Sequence, residues 1–148
     1  MTTNFRSRVL VLPLLVAALV AAGGSRAAAQ IPDEDAWKAL PTYEYGQDMA
    51  AILTIDRAVI QAMASPAARS TCATRLAALL EADETTPAAR QYVCFQLRQV
   101  GTPAEVPVLA RLLEKSETSQ MARYALEAIP GEESLAALRD ALATLEGE

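Results

Sequence analysis

Two thiols, Cys72 and Cys94, and the absence of histidine bound the chemistry open to this 148-residue chain. Without imidazole there is no Ser-His-Asp or Cys-His nucleophilic system, no histidine zinc site and no C-x-x-C-H haem attachment. The usual side chain that titrates near neutral pH is missing too. Carboxylates, Tyr, Lys and a bare thiol remain, and their spacing marks no catalytic set, metal site or cofactor site. Cys72 and Cys94 fall on what read as adjacent antiparallel helices, each about 10 to 12 residues from a turn near Asp83 to Thr85, hence at similar height. Export would permit a disulfide between them. Cys72 also continues a stripe of Leu76, Leu79 and Leu80, and free Cys is commonly buried as a small hydrophobe. The triplet Asp33-Glu34-Asp35 offers hard oxygens but lacks the spaced ligands and glycine of a calcium loop, so it reads as solvated linker.

A second group of residues suits recognition better than catalysis. Arg123, Tyr124 and Glu127 are rich in side-chain chemistry, and Arg90 or Gln91 together with Arg98 occupy a preceding helix. If the two helices line up, these six residues form one protein-binding surface; otherwise they are solvated helix surface with an Arg123 to Glu127 pair four apart.

What would position them is an internal echo. QYVCFQLRQVGTPAEVPVLARLL from Gln91 is followed 29 residues later by QMARYALEAIPGEESLAALRDAL from Gln120. Leu97 falls on Leu126, Val100 on Ile129, Val106 on Leu135, Leu109 on Leu138 and Leu113 on Leu142. A period near 30 with two helical patterns per period predicts an all-α fold, an α-solenoid of about three antiparallel helical hairpins. A shift of 33 places Leu76, Leu79 and Leu80 under Leu109, Leu112 and Leu113 and extends the repeat back to a first, divergent hairpin.

Punctuation supports six helices. Ser65-Pro66 and Thr86-Pro87 each supply an N-cap and a proline at the first helical position. Thr102-Pro103-Ala104-Glu105 is a capping box, and Pro107 is tolerable only in a first turn. Gly101 is expected to end the third helix in a left-handed conformation. The expected stripes are Ile52, Ile55, Val59, Ile60 and Met63; Cys72, Leu76, Leu79 and Leu80; Val93, Leu97 and Val100; Val106, Leu109, Leu112 and Leu113; and Leu135, Leu138, Leu142 and Leu145. The last helix also carries Ala136, Ala137, Ala141 and Ala143 where a terminal cap should be strongly polar, which permits a further hairpin, a partner or a second copy to stack there.

The first 29 residues read as a secretory signal peptide. Arg6 and Arg8 precede an apolar run from Val9 to Ala22 and an Ala27-Ala28-Ala29 cleavage site. The run of about 14 residues is short of the roughly 20 needed to span a bilayer. Residues 30–46, with Pro32 and Pro41, read as an extended lead-in that pins Trp37, Leu40 and Tyr43 on the repeats, and residues 47–148 as the helical repeat domain. Cleavage removes three arginines, Arg6, Arg8 and Arg26, and takes the net charge from −5 to −8. Such an acidic chain repels nucleic acid and anionic lipid.

The stretches VCFQLRQVGTPAEVPVLARLLE and SQMARYALEAIPGEESLAALRDAL resemble HEAT repeats of the short bacterial type named for similarity to phycobilisome lyase repeats. The resemblance runs from about Gln47 to Leu145 and is strongest after Thr86. It implies an armadillo-type, HEAT-like superhelix acting through protein-protein interaction in a periplasmic or secreted setting. It does not carry lyase activity, which would need a dedicated site. The expected function is therefore an exported, non-catalytic interaction module without cofactor. The alternatives are an assembly unit or piece of a longer array, stacking through its C-terminal helix, and a lyase-like enzyme.

Overall fold

The computed structural model describes residues 33–144; the leader expected at 1–29 and Leu145 of the last stripe lie outside them. Seven α-helices follow one another: α1 (Asp33–Ala39), α2 (Ala50–Ala62), α3 (Pro66–Glu81), α4 (Pro87–Val100), α5 (Val106–Leu113), α6 (Ser116–Leu126) and α7 (Glu132–Thr144). Short 3-10 turns occupy Leu40–Thr42 and Pro103–Glu105, and there is no strand among the described residues, so the fold is all-α.

The helix starts form as their sequences dictate. The Ser65 hydroxyl accepts from the Ala68 amide at 3.2 Å and the Thr86 hydroxyl from the Ala89 amide at 3.1 Å, each satisfying an amide left without an intrahelical partner. Thr102 and Glu105 close the expected capping box. Because the Pro103–Glu105 turn precedes α5, Pro107 falls in the first turn of that helix, where its missing N–H interrupts no ladder.

Gly101 ends α4 for a reason other than the expected one. Its φ is −55°, outside the left-handed region. A Cβ there would meet the Leu97 carbonyl oxygen at 2.4 Å and the Ile129 side chain at 2.7 Å. Glycine is required by close approach of α4's own end and the α6–α7 turn, a contact between segments far apart in sequence. The left-handed role falls instead to Gly46, at φ +86°, in the turn before α2.

The lead-in is helical where an extended segment was expected. Ala36 and Trp37 of α1, which packs on α2, are buried, and so is Leu40 in the turn after it, which packs on α4. The acidic triplet forms the first turn of α1, where negative charge is favoured. Glu34 takes a two-pronged hydrogen bond from Arg75 at 3.0 and 2.7 Å, which holds its carboxyl below the usual range, and the same guanidinium lies 4.3 Å above the Trp37 ring. Seven residues are too few for periodicity to declare this helix.

Packing shifts the expected hairpin frame by one helix. The sequence pairs α2 with α3, α4 with α5 and α6 with α7; the most extensive neighbouring pairs are α1 with α2, α3 with α4 and α5 with α6, while α4 and α5 hardly touch. The α4–α5 connection runs through Gly101, Thr102 and the 3-10 turn, which separates those two helices. Beyond neighbours, α4 packs on both α2 and α6, and α5 on both α3 and α7. The core stripes of α4 and α5 are buried as expected, and so are Cys72, Leu76 and Leu80 of α3. In α2 only Ile52, Ile55 and Val59 are buried, Ile60 and Met63 being exposed; in α7 Leu135 and Leu142 are exposed and Leu138 is half-buried.

The repeat also reaches polar groups. The Thr85 hydroxyl donates to the Leu79 carbonyl at 2.6 Å at the end of α3, and 33 residues later the Thr118 hydroxyl donates to the Leu112 carbonyl at 2.7 Å at the end of α5. Both threonines are buried, so each closes a helix end that water does not reach.

Candidate interaction face

The side-by-side packing of α2, α4 and α6 creates one outer surface from the stripes opposite their buried ones. On α2 that stripe is Leu53, Arg57 and Ile60; on α4, Gln91, Phe95 and Arg98; on α6, Gln120, Tyr124 and Glu127. Residues four and seven apart share a helix face, which is why each stripe is continuous. Seven of the nine large hydrophobic side chains exposed among the described residues (Tyr45, Met49, Leu53, Ile60, Met63, Phe95 and Tyr124) belong to these three helices or the segments flanking α2. Such clustering distinguishes a patch from scattered surface leucines.

Its centre is ordered. The Phe95 and Tyr124 rings are stacked with centroids 6.4 Å apart and planes 16° apart, and the Arg98 guanidinium lies 4.5 Å from the Tyr124 centroid. These rings occupy equivalent places in the echo, as do Gln91 and Gln120 one turn earlier. Beside them opens a cavity of about 380 Å³ lined by residues that include Gln91, Cys94, Phe95, Gln120, Met121 and Tyr124, with Ser116 and Glu117 at one end. Tyr45 donates to the Gln91 side-chain oxygen at 2.5 Å and so ties the lead-in to this face. Under the patch, between α2 and α4, Tyr92 donates to Asp56 at 2.7 Å and to the Ile52 carbonyl at 3.2 Å, and the Gln96 amide donates to Asp56 at 2.9 Å. Burial, reinforced by the Asp56 bond, raises the Tyr92 phenol well above its ordinary pKa, so it remains a donor.

Of the six surface residues expected from sequence, the structure brings Gln91, Arg98, Tyr124 and Glu127 to one face, with Arg123 at its edge paired to Glu127. Arg90 is not part of it. Its guanidinium donates to the Ala82 carbonyl at 3.2 Å and it lines a different hollow with Glu81, Arg111 and Glu114, because residues adjacent in a helix point about 100° apart. Ile60, expected in the buried stripe of α2, is exposed on this face, and Phe95 and Leu53 stand in no expected stripe; the signal in the sequence for Phe95 is its register with Tyr124.

Cys72 and Cys94 are both buried and free in this structure. Cys94 lies in the wall of the cavity, and burial pushes its thiol up to about 12; burial likewise raises Cys72. Since the thiolate is the reactive species, neither thiol is suited to nucleophilic work. Native protein at pH 8 is expected to react slowly with a thiol reagent and denatured protein to show two thiols without reductant; a count of zero would mean that they pair. The raised thiol also fixes a pH dependence: its stabilising effect is complete below the unfolded pKa of about 8.5 and is lost as pH rises toward the folded value. A melting profile should therefore fall from pH 8 to 11, and less steeply in Cys94→Ala.

Among the described residues no helix is long and apolar enough to cross a membrane, and no three His, Cys, Asp or Glu side chains are grouped to hold a metal ion. No protein-family model, curated protein or solved structure matches the chain.

Proposed function

We propose that this chain is an exported, non-catalytic helical-repeat module of the HEAT-like kind that recognises another protein through the α2–α4–α6 face. The observation that carries the reading is the in-register Phe95–Tyr124 stack on neighbouring helices, flanked by exposed Leu53 and Ile60. Aromatic side chains held by packed helices give contact area at low ordering cost, which suits recognition. Packing of alternate helices, α4 on α2 and α6 and α5 on α3 and α7, supports an α-solenoid as the scaffold. The leader and its Ala-x-Ala site support export. The test is a photoreactive phenylalanine analogue placed at position 95 and, as control, at Thr71, which is exposed on α3. Protein crosslinks in the native cell envelope from position 95 and not 71 are expected; equal or absent crosslinking at 95 would refute the reading.

A second reading, end-to-end assembly, is favoured by one observation. Leu135 and Leu142 of α7 are 54% and 83% exposed, whereas Val106 and Leu113, their equivalents in α5, are each 5% exposed. Light scattering decides it: a monomer at high concentration counts against assembly.

A further inference from the structure

Among the described residues Arg98 is the arginine with no polar partner. Arg75, Arg111, Arg123 and Arg139 pair with carboxylates, Arg69 and Arg90 donate to backbone carbonyls, and Arg57 bonds the Leu53 carbonyl and Thr54 hydroxyl of its own helix. Arg98 is held only through the Tyr124 ring beneath it. An arginine held over a ring keeps its N–H groups free to match a carboxylate, since the ring offers them no hydrogen-bond acceptor oxygen. The ring also restrains the side chain, so less freedom remains to be lost on binding.

The surroundings narrow what this fork receives. On one side are the stacked rings and a cavity of about 380 Å³, the size of one or two side chains. Along that cavity Gln91 and Gln120 stand at equivalent places on α4 and α6, offering amide donors and acceptors to a peptide backbone. Glu117 and Arg123 of α6 also line it. A polyanion is unsuited to a chain of net charge −5, but a single carboxylate beside an apolar side chain can be met by Arg98, the Glu127 on the same face being engaged by Arg123.

Resting on the interaction reading above, we propose that the α4–α6 part of the face binds an acidic, apolar peptide segment of another protein. Its aromatic or long aliphatic side chain seats against Phe95 and Tyr124, and its carboxylate is held by Arg98.

The test uses a display library of random dodecapeptides selected on the purified full chain, followed by titration of the enriched peptides as synthetic fluorescent probes. Enrichment of Asp or Glu next to Phe, Trp, Leu or Met is expected. Affinity should fall at least tenfold on Arg98→Gln, on Tyr124→Ala and on amidation of the peptide's acid, and be unchanged on Arg139→Gln. Arg98 and Tyr124 are exposed, so both variants should keep the parent circular dichroism and melting temperature. Comparing free and amidated peptide termini separates a side-chain carboxylate from a terminal one, either of which supports the proposal. Peptides that depend on Tyr124 but lack an acid, or keep their affinity in Arg98→Gln, would overturn the acidic specificity and leave the interaction reading standing. Absence of any Tyr124-dependent peptide would overturn both.

Discussion

Leu113→Ala is expected to lower the unfolding free energy by about 2–5 kcal/mol, while Leu142→Ala, at the equivalent position one repeat later, should change it by less than about 0.5 kcal/mol. The two leucines superpose in the 29-residue echo, yet Leu113 is 5% exposed and Leu142 is 83% exposed. Truncating Leu113 removes buried methyl groups and leaves a cavity between α5 and α6, whose packing cannot fully collapse. Truncating Leu142 removes atoms already in water. Urea denaturation of both variants checks this, with the midpoint shifting and the slope unchanged for Leu113→Ala. A large loss in Leu142→Ala at high protein concentration that vanishes on dilution would instead show that another chain covers α7, the outcome assembly requires.

Glu105→Ala is expected to cost about 3 kcal/mol and Glu105→Gln roughly half of that. Glu105 is buried and its carboxylate accepts from the Thr102 amide at 2.9 Å, the Thr102 hydroxyl at 2.7 Å and the Thr74 hydroxyl at 3.1 Å. The bond from the Thr102 amide belongs to the capping box and the one from its hydroxyl stays within the same turn, whereas the third reaches α3, so one side chain both starts α5 and fastens it to α3. Alanine leaves the Thr102 amide and the Thr74 hydroxyl without this acceptor. Glutamine keeps one oxygen for the amide and can donate its own N–H to a hydroxyl, which is why its effect should be milder. Arg69 acts nearby in the same sense, donating to the Val100 and Gly101 carbonyls at 3.0 and 2.9 Å at the end of α4. Thermal melts of both variants check this, and Glu105→Ala and Glu105→Gln melting together would refute the graded loss.

The capping box illustrates how far local reasoning reached. Ser65, Thr86 and Thr102 were legible because each cap depends on residues two or three places away, and the leucine stripes because helical periodicity is a property of one segment. The buried Thr85 and Thr118 hydroxyls were present in the same 33-residue shift as the leucines, but small polar residues carry no hydropathy signal. Gly101 shows the boundary of such reasoning. A helix end at this glycine was readable, but its cause was not, since Ile129 comes against it only after α6 and α7 have folded back.

For the candidate site the division is similar. Gln91, Arg98, Tyr124 and Glu127 were found by chemical type and the echo, whereas Arg90 was included because neighbours in sequence look interchangeable until a helix turns them apart. Phe95 belongs to no expected stripe, and what exposes it is the turn of α4 that sends Val93 and Leu97 inward.

By itself the sequence determined that this protein is all-α, where most of its helices begin and end, and which leucines each helix offers for burial. These follow from short-range physics: backbone amides that need caps, prolines that cannot donate and stripes set by 3.6 residues per turn. Only the tertiary structure decided which helices pair, that α1 exists and covers Trp37 and Leu40, and that equivalent leucines are buried in α5 and exposed in α7. Burial depends on what packs across from a side chain, and that partner lies elsewhere in the chain.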